Sequence, residues 1–120
     1  HIAAAEQVHH DLIPALEALQ AALAQKSQDF MNIVKIGRTH LQDATPMTLG
    51  QEFSAYARQV QNGIMRVKQA LPQVMELAQG GTAVGTGINC KVGFAEAFAR
   101  HASKITGLDF ITADNKFEAM

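Results

Sequence analysis

Arg38-Thr39-His40, followed closely by Gln42 and Asp43, gathers the side chains best suited to chemistry in this sequence. An imidazole titrates near neutrality and can give or take a proton at physiological pH. A hydroxyl beside it, with backbone N–H groups, suits the oxygens of a small carboxylate. A purely structural arrangement is equally compatible with the spacing: Arg38 and Asp43 staple the segment while His40 hydrogen-bonds locally. The segment Lys35–Pro46 joins two apolar-periodic stretches, where a connection of a few residues would do. Polar groups concentrated on a loop held by rigid elements are where binding and catalysis tend to sit.

The remaining histidines offer less. His9 and His10 are helix neighbours pointing about 100° apart, so they do not chelate one ion together. Glu6-x-x-His9 matches one element of di-iron bundles, but no second copy exists. His101 lies beside Arg100 and Lys104 on an amphipathic stretch and reads as solvated. No metal site is therefore expected. The absence of a Gly-x-Ser-x-Gly elbow or a Cys-His dyad pattern leaves acyl transfer without support.

The elements that would position the segment read as helices. Ala5, Val8, Leu12, Leu16, Leu19 and Leu23 form one apolar stripe over residues 1–25, with Pro14 predicting a kink or restart. Thr48 and Gln51 form a capping box that opens a second helix over 48–79. Its stripe runs Phe53, Tyr56, Val60, Ile64, Val67, Leu71 and Val74, and Pro72 is expected to bend this helix without ending it. Roughly thirty residues make a rod of ~45 Å that wants partner helices along its length. A glycine-rich loop over 80–91 follows. It lacks the Gly-Lys-Ser/Thr ending of a phosphate loop and follows a helix, so it reads as a reversal. A third helix over 92–106 stops at Gly107. With no convincing strand pair, the expected class is all-α, a long-helix bundle.

The chain has 120 residues, a net charge of −1 and 48% hydrophobic content, which bounds it to one domain of ordinary globular composition. Interspersed charges give no footprint for nucleic acid or an anionic membrane surface. Apolar runs fall short of the ~20 residues a membrane span needs. Single Cys90 precludes an internal disulfide and fits a reducing compartment. Helical periodicity present from Ile2, and a capping box at Asn115–Glu118 near the other end, lead us to expect a piece of a longer protein.

Three blocks carry a resemblance. Lys35–Phe53, Gly80–Asn89 with Gly93-Phe94-Ala95-Glu96, and Asn115-Lys116-Phe117-Glu118-Ala119 resemble, in order and spacing, class II fumarate hydratases of the fumarase/aspartase superfamily. The resemblance implies that residues 1–120 form part of that superfamily's central helical core domain, with a signature loop at 35–47. It implies a homotetramer whose active sites are shared between subunits, and a small dicarboxylate substrate, fumarate or L-malate. The implied reaction is reversible trans addition of water with no metal or organic cofactor, in the cytoplasm or the mitochondrial matrix. By the same resemblance, Thr39 contacts a substrate carboxylate and His40 takes part in catalysis, by proton donation, water activation or carboxylate binding. The proton-abstracting base is expected in a Gly-Ser-Ser-x-Met-Pro-x-Lys-x-Asn loop that these residues do not contain. Aspartate ammonia-lyases share the Gly-Arg-Thr-x-Leu-Gln-Asp-Ala block and are the alternative within the superfamily. A non-catalytic helical oligomerisation module is the alternative outside it.

Overall fold

The computed structural model describes all 120 residues. In chain order the elements are α1 (Ile2–Gln7), a π-helical turn (Val8–Leu12), α2 (Ile13–Asp29), β1 (Val34–Thr39), β2 (Gln42–Thr48), α3 (Leu49–Val74), β3 (Glu76–Leu77), α4 (Phe94–Thr106) and β4 (Ile111–Thr112). The chain divides into two compact units, Leu12–Lys68 and His1–Asp11 with Gln69–Met120. It is mostly helical but not all-α. The segment expected as a loop over 35–47 is a β-hairpin, and a second, two-residue strand pair is also present.

In the Leu12–Lys68 unit, α2 and α3 flank the hairpin. Pro14 lies in the first turn of α2, directly after the π-helical turn. Proline there needs no helical donor, so kink and restart are met in one device. The wide turn holds an extra residue, and the stripe read from sequence survives in α2 only in part, with Leu16 and Leu23 half-buried. Ile13 is buried where Leu12 was expected, and Leu12 and Leu19 are exposed. Ile13, Ala57 and Ile64 form the apolar interior. Phe30 meets Phe53 edge-on with ring centres 5.2 Å apart.

The start of α3 lies against the end of α2. The buried Ser27 hydroxyl donates to the Gly50 carbonyl at 2.8 Å. A Cβ on Gly50 would stand 2.4 Å from the Ser27 carbonyl oxygen, so only glycine permits this approach. The capping box forms as expected: Thr48 N–H donates to Gln51 Oε1 at 2.9 Å, and Gln51 N–H to Thr48 Oγ1 at 3.1 Å.

In the other unit, α3 ends at Val74 instead of reaching 79. Pro72 has no N–H to hold the preceding turn and the helix stops two residues later, a stop where a bend was expected. The chain then becomes β3, which pairs in parallel with β4 (Glu76↔Ile111, Leu77↔Thr112). The stretch 78–93 folds as linked turns, and α4 forms the crossover that parallel strands require. It begins at Phe94, after Gly93, and ends at Gly107, whose φ of +75° makes the left-handed cap expected of it. Leu71, Leu77, Ala99, Ala102, Leu108 and Phe110 are buried. Lys116 donates to the Ala113 carbonyl at 2.6 Å, to the Leu77 carbonyl at 3.4 Å and to the Thr112 hydroxyl, linking both short strands. Asn115 Oδ1 accepts from the N–H groups of Phe117 and Glu118 at 3.0 and 3.1 Å, capping a single turn.

Candidate functional site

The hairpin presents the two expected site residues at its tip. Strands β1 and β2 pair antiparallel, Thr39 opposite Gln42, which leaves His40 and Leu41 as a two-residue loop. Both loop residues have positive φ, +50° and +63°, the pattern of a type I′ turn. Asn-Gly or Gly-Gly is the usual pair for that turn, because L side chains pay for the left-handed region. His40 and Thr39 are exposed, and Leu41 is as open as in an extended peptide, at 103%. The structure therefore brings Thr39 and His40 side by side on a convex tip.

One residue pair back from Thr39 and Gln42, Arg38 Nε donates to Asp43 Oδ1 at 3.2 Å across the ladder. The staple of the structural reading exists, but both groups are more than two-thirds exposed, and such pairs contribute little. His40 forms no side-chain hydrogen bond of its own, so the local-bonding half of that reading is not realised.

The base of the hairpin is tied more firmly. Leu49 N–H donates to the Ile33 carbonyl at 2.8 Å and Gly50 N–H to the Phe30 carbonyl at 3.0 Å. Lys35 on β1 forms an ion pair with Glu52 in the first turn of α3, and the Tyr56 hydroxyl donates to the other Glu52 oxygen at 2.7 Å. The Lys35 hydrogen bond, then that of Tyr56, holds the Glu52 carboxyl below its usual range. The same bond to Glu52 raises the Tyr56 phenol above its usual range. This Lys35–Glu52–Tyr56 chain was not visible in sequence, because only the hairpin brings residues 35 and 52 together.

The clefts lie elsewhere. In the unit of the chain's two ends, one is lined by His1, Ile2, Leu77 and Gln79. In the Leu12–Lys68 unit, one is lined by Gln20, Ser27, Ser54, Arg58 and Gln61. Neither includes Thr39 or His40. No cluster of three or more His, Cys, Asp or Glu residues is arranged to hold a metal ion, and His9, His10 and His101 are exposed and apart from the tip in sequence.

Comparison with known proteins agrees with the blocks of sequence. A family model described as lyase matches residues 1–120. The chain belongs to this lyase family. A curated relative of the lyase, fumarate hydratase class II from Caulobacter vibrioides, is 63% identical over the whole chain, which covers 26% of that protein. The mitochondrial fumarate hydratase of Mus musculus is 58% identical over the whole chain and is covered to 24%. Among solved structures, class II fumarase from Schistosoma mansoni superposes with a TM-score of 0.84 at 40% identity, covering 97% of this chain and 27% of that one. The chain thus spans about a quarter of the length of the relatives it matches. No helix is long and apolar enough to cross a membrane.

Proposed function

We propose that this lyase chain belongs to a fumarate hydratase and supplies Thr39 and His40 to a site that binds a small dicarboxylate. Identity of 58–63% along the entire chain to proteins named fumarate hydratase supports the reaction. The observation that carries the site is the tip itself. Two non-glycine residues are held in the left-handed region on an exposed turn, where asparagine and glycine would cost less. Backbone strain of this kind concentrates at functional sites.

The reaction is the reversible trans addition of water to fumarate, giving L-malate. In the dehydrating direction a base removes the proton alpha to one carboxylate, and the electron pair left behind delocalises onto that carboxylate as an aci-form. Collapse of this intermediate makes the double bond and expels hydroxide, which takes up a proton and leaves as water. The Thr39 hydroxyl donates to a carboxylate oxygen, where fixed donors stabilise developing charge. The His40 imidazole serves the oxygen end, protonating the departing hydroxide or activating water in reverse. The base comes from outside this chain.

A convex tip is not a pocket, and small-molecule sites are concave. The walls come from the remainder of the protein and from further copies in a homotetramer. Val92 (101% exposed) and Ile105 (83%) in one unit, and Leu41 in the other, support such covering. The compartment is the cytoplasm or the mitochondrial matrix, in line with bacterial and mitochondrial relatives.

The test is His40→Asn in the complete protein that bears this sequence. We expect turnover of L-malate, followed by fumarate absorbance, to fall about 10²–10⁴-fold, the usual range for a lost acid–base group, with the oligomer intact. Unchanged kcat would remove His40 from the mechanism. Ammonia release from aspartate in the same preparation would instead identify an aspartate ammonia-lyase.

A further inference from the structure

We infer that Gly37 is a positioning residue for the Thr39–His40 tip, acting through a β-bulge in the strand opposite; this rests on the hydratase reading above. The ladder runs in regular register from Val34↔Thr48 to Ile36↔Pro46, then resumes at Arg38↔Asp43. Between those points β1 spends one residue, Gly37, while β2 spends two, Ala44 and Thr45. A bulge of this kind bends the strand and strengthens its local twist, re-aiming what lies beyond it. Beyond it here are the Arg38–Asp43 pair, Thr39 and His40.

Glycine is required for a particular reason. The φ of Gly37 is not in the left-handed region, so an alanine meets no torsional objection there. The conflict is across the ladder: a Cβ would stand 2.9 Å from the Thr45 carbonyl oxygen, with Met47 Sδ next at 3.5 Å. The first obstacle is backbone, which has no flexible end to swing aside. Any side chain at 37 therefore pushes β2 away at the bulge. The base, tied by Ser27–Gly50 and Lys35–Glu52, stays in place. The displacement is delivered to the free end, which carries the two proposed site residues. A misplacement of about 1 Å is enough to cost ~10²-fold in rate.

The experiment is Gly37→Ala in the complete protein, with Gly63→Ala as matched control. At Gly63 an added methyl meets only the Arg66 guanidinium at 4.0 Å. For Gly37→Ala we expect kcat/KM on L-malate to fall about ten- to a hundredfold, with kcat lowered and KM raised, at unchanged oligomer mass. Gly63→Ala should keep both constants. A merely structural role would inactivate a fraction of molecules and lower kcat alone, so the rise in KM decides. Wild-type KM in Gly37→Ala overturns the inference. Should Gly37→Ala fail to assemble, deletion of Ala44 removes the extra residue from the other side. The same change in both constants is expected, and wild-type constants overturn the inference. Full activity in His40→Asn would sink the hydratase reading itself, leaving Gly37 nothing to position. Loss in His40→Asn with wild-type Gly37→Ala sinks only the present inference.

Discussion

The hairpin and the glycine-rich turns both reverse the chain, and they differ in what stands at their left-handed positions. In the turns, Gly80, Gly85 and Gly87 take positive φ values alongside Thr82 and Asn89, and two of the glycines also permit contact. A Cβ on Gly80 would stand 2.7 Å from the Ala95 Cβ, and one on Gly85 2.8 Å from the Phe117 nitrogen. There the missing side chain is the useful part, because it lets backbone pack on backbone. At the hairpin tip the left-handed positions are His40 and Leu41, with full-sized side chains and open surroundings. At Gly80 and Gly85 the close contact requires the side chain to be absent. At His40 and Leu41 side chains are kept at a conformational cost with no such contact to explain them.

Substitutions at both places test this contrast. Gly85→Ala combines a φ of +101° with overlap on the backbone of Lys116 and Phe117, and should destabilise by ~2–4 kcal/mol. Thermal unfolding of the complete protein would read this as a large fall in Tm, and an unchanged Tm would erase the contrast. His40→Asn should behave oppositely: asparagine tolerates the left-handed region better than histidine, so activity goes while Tm holds or rises slightly. Lowered Tm with retained activity would favour a purely structural tip. Thr48→Ala removes one half of the capping box at the hairpin's base and should cost ~1 kcal/mol, with a correspondingly modest loss in Tm.

The smallest effect concerns pH. The folded-state pKa of Glu52 is depressed, so its contribution is full above the ordinary glutamate range and is lost as pH falls through the lowered value. Tyr56 is raised, so its contribution is full below the ordinary phenol value of about 10 and is lost as pH rises through the raised one. Glu52→Gln should flatten the acid side of a Tm-against-pH curve relative to the parent. Parallel curves would show that the Lys35–Glu52–Tyr56 chain contributes nothing.

Much of this arrangement was readable from residues. The Thr48–Gln51 box, the Gly107 cap and the apolar stripe of α3 as far as Val74 follow from local rules that tertiary packing did not override. The hairpin was hidden for physical reasons. Its turn is His-Leu and not Asn-Gly, Pro46 stands inside a strand, and much of both strands is exposed, so no alternation of polar and apolar residues marks them. Beyond Pro72, Val74 and Ala78 continue a helical spacing, and two apolar residues cannot distinguish a helix from a short strand. Thr39 and His40 stand out as candidates by residue type and by family resemblance. Gly37, Glu52 and Tyr56 were not, because their significance depends on a register that only the folded hairpin defines.

The wide turn at Val8–Leu12 has a consequence of its own. It is a place where the length of the polypeptide can change by one without breaking either neighbouring helix. Losing a residue there would restore ordinary helical pitch to the turn. An insertion or deletion at this point would be absorbed within a single turn, while the hydrogen-bonded turns of α2 carry on as before.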